Sequence, residues 1–292
     1  MKPMYIEGMV YMLIASFSFT INDNLMKLMA KVEGNYIYIY ELIFIRGIIA
    51  STFIFLWIII TNQLNFKSMF FSKRSYIRGG LESLTMVFFF TGVVTMPLAE
   101  VYTLLNVSPL LITLAGFLIF KEKLGIKRLL AVIIGFIGVI IVINPTKFNF
   151  NYFFIFPLLA AITVTFREII TAGFQKNVNS IHIVFTSSLV VTIVTGIITI
   201  FTYTPINNDY LITIFLTSLF VTIANIFLCK SVIVAPLSIT STFRYSIIVF
   251  GLIISYIILN EVPSINMILG ATIIIISGIF IVIREKKLGK IS

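Results

Sequence analysis

Apolar runs of about 20 residues recur along the whole chain, separated by short polar breaks. A run of that length crosses a bilayer as a helix. The pattern predicts ten spans, near 7–29, 37–60, 77–95, 98–120, 127–143, 152–173, 181–202, 210–229, 235–259 and 265–283. The breaks are short enough to join antiparallel neighbours. No long polar stretch stands between the runs, so no soluble domain is expected.

The pattern is also stated twice. Pro97, Leu98, Thr103 and Glu122 return as Pro236, Leu237, Thr242 and Glu261. After one inserted residue, Ala131 and Gly138 return as Ala271 and Gly278. Each copy is two apolar segments joined by a polar turn that begins with Glu. The first halves match more faintly, with Ala15 opposite Ala160 and Asn22-Asp23 opposite Arg167-Glu168. The expected organisation is therefore two five-span repeats, residues 1–148 and 149–292. Five is odd, so the second repeat enters the membrane inverted relative to the first. Inverted repeats place a substrate site near the midplane, where the halves meet. The fold class expected is an all-α membrane protein of ten transmembrane helices, built as two five-helix inverted-topology repeats.

Composition agrees with this and orients the chain. Of 292 residues, 59% are hydrophobic and 11% charged, against about 25% charged in soluble proteins. The mean hydropathy is +1.11. The first span lacks a small-residue cleavage pattern after it and reads as a retained span, not a signal peptide. The net charge of +10 does not point to nucleic acid, because the basic residues sit in short loops and the tail. With the N-terminus inside, fifteen of the 21 Lys and Arg fall on the inner side, including Lys73, Arg74, Lys121, Lys123, Lys127, Arg284, Lys286 and Lys287. Lys27, Lys31 and Lys147 fall outside, and Arg46, Arg167 and Arg244 fall within spans. The positive-inside bias predicts that both termini face the cytoplasm. One cysteine, Cys229, excludes a disulfide, and one histidine, His182, cannot make a metal site alone. Neither a metal nor a cofactor is expected.

Charges inside spans are costly and mark function by default. Asp23 and Lys27 stand one turn apart in span 1 and can pair. In span 2, Glu41 lies near the outer end, where water can reach it. Arg46 lies deeper and calls for an acid on another helix. Arg78 and Glu82 in span 3 are spaced for a structural lock. Span 6 carries Arg167 and Glu168. Arg244 lies about 13 Å into span 9, beside Tyr245 and a run of hydroxyls. Arginine stays charged and forks to carboxylates, so Arg244 either braces the halves through a buried acid or contacts a ligand; both can hold. Tyr102, Thr103 and Asn106 form a polar patch on span 4, next to Pro109, which should bend the helix. Gly135 and Gly138 allow close helix approach, either between the halves or between two protomers, as does Gly79-Gly80. The expected substrate-binding set is Arg244, Tyr245, Glu168, Asp23, Glu41, Tyr102, Thr103 and Asn106. Lys27, Arg46, Glu82 and Arg167 are expected to be structural or coupling charges.

The sequence has no HExxH, GxSxG or GxxxxGK[ST] motif, so the parts of a hydrolase or an ATP-driven pump are missing. The ten spans, and the Pro97…Pro109…Glu122 arrangement with its echo Pro236…Glu261, resemble the EamA-type transporters of the drug/metabolite transporter superfamily. The likeness covers nearly the whole chain. Members of that superfamily move amino acids, vitamins, quaternary amines and other small metabolites. Asn22-Asp23 with Lys27, Glu41-x-x-Phe44-x-Arg46, Arg78-Gly79, Arg244-Tyr245, Tyr256 and Asn260-Glu261-x-Pro263 are similar to the S-adenosylmethionine uptake carriers of obligate intracellular bacteria. Span 6 departs from them by its additional Arg167.

The resemblance implies a secondary transporter, not an enzyme, that works by alternating access on a zwitterionic, S-adenosylmethionine-like or amino-acid-like metabolite. A coupling proton or an exchanged metabolite would drive it. The partners expected are that substrate and the lipid bilayer, with no nucleic acid, in a monomer or homodimer. Two alternatives stay open at this point: an exporter of amino acids or amines on the same fold, and a non-transporting membrane scaffold.

Overall fold

The computed structural model describes residues 3–33, 38–70, 72–118, 126–143, 152–174, 179–202 and 208–287. They form helices α1 (Pro3–Glu33), α2 (Tyr38–Ile60), α3 (Phe66–Phe70), α4 (Lys73–Thr95), α5 (Leu98–Leu105), α6 (Ser108–Leu118), α7 (Ile126–Ile143), α8 (Ile155–Ala172), α9 (Ser180–Thr202), α10 (Leu211–Val234), α11 (Leu237–Phe243), α12 (Ser246–Leu259) and α13 (Ile265–Lys287). No strand occurs among the described residues. Among the described residues, six stretches are long and apolar enough to cross a membrane by length and composition, and three shorter apolar helical stretches accompany them.

The ten expected spans are present, but spans 4 and 9 are each two helices. Span 4 is α5 plus α6, and span 9 is α11 plus α12. The first break falls at Asn106-Val107, just upstream of the bend expected at Pro109. Proline has no N–H to donate, and its ring crowds the carbonyl four residues back. The chain therefore ends α5 at Leu105 and restarts α6 with Pro109 in its first turn, where the missing N–H costs nothing. The second break falls at Arg244-Tyr245, in a span expected to be continuous. No proline stands there. The short helix α3 also went unforeseen, since five residues carry too little periodicity to register.

Helix pairing follows the repeat. The first helix of the first half, α1, packs on α10, the third span of the second half. The converse pair, α4 on α8, packs in the same way. The second spans, α2 and α9, pair with each other, and so do the last spans, α7 and α13. Exchanging the halves leaves this pattern unchanged, as a pseudo-two-fold axis between inverted repeats requires.

The pair α7–α13 answers the question left by Gly138. A Cβ on Gly138 would lie 2.9 Å from the Gly270 carbonyl oxygen, and one on Gly270 would lie 2.6 Å from that of Gly138. The two backbones touch, so this contact joins the halves within one chain. Gly135 instead accommodates the Leu110 side chain of α6.

Buried Met26, Leu42, Phe90, Val101, Tyr102 and Ile274 belong to one core that runs through both halves. The outward faces are apolar as well. Ile133, Ile137 and Ile140 on α7, and Ile253 and Ile257 on α12, are exposed. Such surfaces are covered by acyl chains in a bilayer, which is why the chain carries few charges.

Candidate functional site

The polar interior of the bundle is built where the two broken helices meet α1, α4 and α8. A break frees backbone groups and brings polar side chains to membrane depth, which is tolerated where they are buried in protein or line a cavity. At the first break, the Asn106 amide donates to the Tyr102 carbonyl at 2.8 Å, and Thr103 donates to the Ala99 carbonyl at 2.8 Å. At the second, Arg244 itself caps α11, and its N–H donates to the Thr240 carbonyl at 3.1 Å.

One cavity is lined by Phe19 and Asp23 of α1, Thr85, Met86 and Phe89 of α4, Tyr102 and Leu105 of α5, and Val164 and Arg167 of α8, and is closed by Arg244 and Ile247 at the second break. Asp23 is set by two donors. The Tyr102 hydroxyl donates to Oδ2 at 2.9 Å, and the Asn22 amide donates to Oδ1 at 2.7 Å. Among the described residues, Asp23 forms no ion pair within 4.0 Å. The two guanidiniums of this cavity are held by acids behind them. Arg167 Nη1 donates to Glu82 Oε1 at 2.9 Å, and its Nη2 lies 3.6 Å from Glu168 Oε1. Arg244 Nη1 is in direct contact with Glu168 Oε1. The cavity thus sets a carboxylate and two arginines around one space with three aromatic rings.

A second cavity shares Met86 with the first. Ile43, Arg46, Gly47, Ala50 and Ile54 of α2 line it, with Glu82, Met86, Val184, Ser187, Ser188, Val191, Val221, Thr222 and Asn225. The Glu82–Arg167 pair and Met86 form the partition, since Glu82 lines the second cavity, Arg167 the first, and Met86 both.

Several expectations need correction. Asp23 and Lys27 do not pair. Lys27 reaches instead to Glu261 Oε1 at 2.6 Å and to the Met96 carbonyl at 2.6 Å. Glu261 Oε2 accepts the Leu98 N–H at 2.8 Å. One carboxylate therefore ties α1 to the start of α5 at the bundle end that carries the α4–α5 and α12–α13 turns. The repeat mate Glu122 lies outside the described residues. Glu41 is buried at 4% exposure, not wet, and lines neither cavity. Arg46 has no acid within 4.0 Å among the described residues. Its Nη1 donates to Asn22 Oδ1 at 3.0 Å, and its guanidinium sits 5.5 Å from the Phe90 ring. The amide of the neighbouring helix and an aromatic face stand where an acid was expected. The brace between halves is Arg167–Glu82, not Arg244–Glu168, whose members both lie in the second half.

Arg78 behaves as expected, with Nη2 3.5 Å from Glu82 Oε2. It also donates to Thr171 Oγ1 at 3.0 Å and Ser187 Oγ at 2.6 Å. Thr103, Asn106 and Tyr245 lie outside the lining of the first cavity. Tyr245 turns its ring onto α13, where a Cβ on Gly278 would overlap the phenol ring. Phe19, Thr85, Met86 and Phe89 line the cavity without having been singled out. An apolar residue facing a cavity carries no mark in the sequence that separates it from one facing lipid.

Comparison with known proteins agrees with the geometry. The model of the EamA-like transporter family matches residues 6–144 and again residues 151–284. A protein named S-adenosylmethionine uptake transporter from Rickettsia prowazekii (strain Madrid E) is 24% identical over 286 residues, covering 97% of this chain and 95% of the relative. Its counterpart from Rickettsia bellii (strain RML369-C) is 26% identical over 294 residues, with 97% and 96% covered. A riboflavin transporter of Vibrio cholerae is 24% identical over 193 residues, or 66% of this chain and 65% of its own. A crystal structure at TM-score 0.64 and 13% identity covers 94% of both chains and shares the fold. Two matches in tandem, full-length transporter relatives and a charged interior between inverted halves give one conclusion: the chain is a multi-pass membrane protein that belongs to the EamA-like transporter family.

Proposed function

We propose that this transporter carries a small zwitterion, of the S-adenosylmethionine or amino-acid type, across the bacterial inner membrane by alternating access. The observation that carries the reading is the first cavity, where Asp23 faces Arg167 and Arg244 across one space. A carboxylate with no ion pair within 4.0 Å among the described residues is suited to a substrate's amine or sulfonium. Arg244, whose partner Glu168 can be exchanged, is suited to a substrate carboxylate through charge-assisted hydrogen bonds. Phe19, Phe89 and Tyr102 offer faces for a ring or a cation.

The Rickettsia relatives support the same substrate class, since their names state it. The basic loops support a cytoplasmic location for both termini. On that orientation the Lys27–Glu261 contact closes the outer end. Two half-cavities separated by a partition at mid-depth are the form expected of a carrier that opens to one side at a time. Asp23 is then also the group placed to hold a coupling proton when the substrate is absent.

Transport of radiolabelled S-adenosylmethionine into proteoliposomes tests the reading. Saturable uptake, inhibited by amino-acid zwitterions and absent from protein-free liposomes, is the expected result. A much lower half-saturation concentration at the inner face than at the outer would favour export, and no flux or binding would favour a scaffold.

A further inference from the structure

Asp23 has both carboxylate oxygens engaged by neutral donors. The Asn22 amide donates to Oδ1 at 2.7 Å, and the Tyr102 hydroxyl donates to Oδ2 at 2.9 Å. Each donor is itself fixed from behind, by different means. The Tyr102 ring is packed in place against α12, where a Cβ on Gly251 would overlap it. The Asn22 amide is set by Arg46 of α2, whose Nη1 donates to Asn22 Oδ1 at 3.0 Å. A side-chain amide has one accepting end and one donating end. With Oδ1 turned to the guanidinium, Nδ2 has to face Asp23. The opposite orientation would set N–H against N–H on one side and oxygen against carboxylate oxygen on the other.

Arg46 and Asn22 are both buried, so bulk water does not compete for this contact. The other neighbours of the guanidinium are the Phe90 ring, 5.5 Å away, and the Met86 sulfur, 4.0 Å from Nη2. Neither is an oxygen acceptor, so Asn22 Oδ1 takes the charge-assisted bond. Arg46 and Asp23 also attract each other across the amide, which favours the same arrangement. Arg46 is absent from the lining of the first cavity, and Asp23 belongs to it. We infer that Arg46 is a positioning residue for the cation-binding carboxylate: through the Asn22 amide it keeps Asp23 aimed into the first cavity. The inference rests on the transport reading above, in which Asp23 receives the substrate's amine or sulfonium. Without Arg46 the amide is free to turn and to present its oxygen to Asp23. A carboxylate opposed in this way swings off its line, and the substrate cation meets a group that it must first realign.

Equilibrium binding of S-adenosylmethionine to the purified protein tests the link, read as a double-mutant cycle. Arg46→Met removes the charge and every donor and keeps an apolar stem. It is expected to raise Kd by about tenfold, the scale of one hydrogen bond to a charged group. In an Asp23→Asn background the same substitution should change Kd by less than about threefold, since no carboxylate is left to position. Arg46→Lys keeps a charged donor for Asn22 Oδ1 and should return Kd to within about threefold of wild type. If Arg46→Met does not accumulate in the membrane, Asn22→Leu carries the test. It removes the amide and leaves Arg46, and it should weaken binding about tenfold with Asp23 present and less than about threefold with Asp23→Asn. A residue that only ties α1 to α2 would lower the thermal midpoint and weaken binding by the same factor in both backgrounds. That equal factor, or an unchanged Kd in Arg46→Met or Asn22→Leu, would overturn the inference while leaving the transport reading intact. A wild type without saturable binding, or Asp23→Asn without effect on Kd, would instead overturn the reading of Asp23 as the cation site and the positioning role with it.

Discussion

Glu82 of α4 holds Arg167 of α8 at 2.9 Å, and the pair ties the two inverted halves together at the centre of the bundle. Both side chains are buried, and Glu82 also faces Arg78 at 3.5 Å. Breaking a buried pair leaves one charge without compensation, at a cost of about 3–5 kcal/mol. Glu82→Gln should therefore lower the thermal midpoint of the detergent-solubilised protein sharply. Glu82→Gln with Arg167→Gln should recover part of the loss, because two neutral amides can bond each other. Differential scanning fluorimetry on the four proteins reads the coupling. Additive effects would remove the pair from its bracing role.

Arg244 and Glu168 separate stability from transport. Arg244→Ala leaves Glu168 with only the longer Arg167 contact, at 3.6 Å, and should both destabilise the protein and abolish S-adenosylmethionine uptake. Adding Glu168→Gln should restore membrane accumulation without restoring uptake. Size-exclusion profiles and proteoliposome flux are the two readouts. Recovery of uptake in the double variant would place Arg244 outside the substrate's path.

Gly138 and Gly270 allow α7 and α13 to touch backbone to backbone. Gly138→Leu has no space to fill and must push the helices apart. Overpacking of this kind costs about 1–3 kcal/mol, so the thermal midpoint should fall by several degrees. Gly80, whose added Cβ would meet nothing within 4 Å, should tolerate Gly80→Ala with little change. An equal fall for both would deny the close contact.

Lys27–Glu261 is expected to act as the latch of the outer end. Cys229 is buried, so the native thiol gives little background to a water-soluble maleimide. A reporter made by Leu105→Cys, in the lining of the first cavity, should label several-fold faster from outside when Glu261→Gln is added. An unchanged rate would leave the contact a helix cap for α5 and nothing more.

The ten spans and the two halves were legible because bilayer thickness dictates run length and because the repeat kept Pro, Glu and Gly in step. The break at Asn106-Val107 was legible within a few residues through Pro109, whose chemistry is local. The break at Arg244-Tyr245 was not, because it has no proline and depends on tertiary surroundings: the Glu168 contact and the Tyr245 ring seated on Gly278. Partner choice was the least legible feature. Helical spacing suggested Asp23–Lys27, yet Lys27 bonds Glu261, 234 positions along the chain, since a side chain four residues away competes with every group that folding brings near. Arg46 was expected to find an acid and found Asn22, a difference that no spacing rule encodes.

The most direct test of the central claim is equilibrium binding of S-adenosylmethionine to the purified protein and to two variants, Asp23→Asn and Glu41→Gln. Both acids are buried, but Asp23 lines the first cavity and Glu41 lines neither. Saturable binding that weakens by about tenfold or more in Asp23→Asn, about 1.4 kcal/mol, and by less than about threefold in Glu41→Gln is the predicted result. No saturable binding to the wild type, or equal weakening in the two variants, would contradict it.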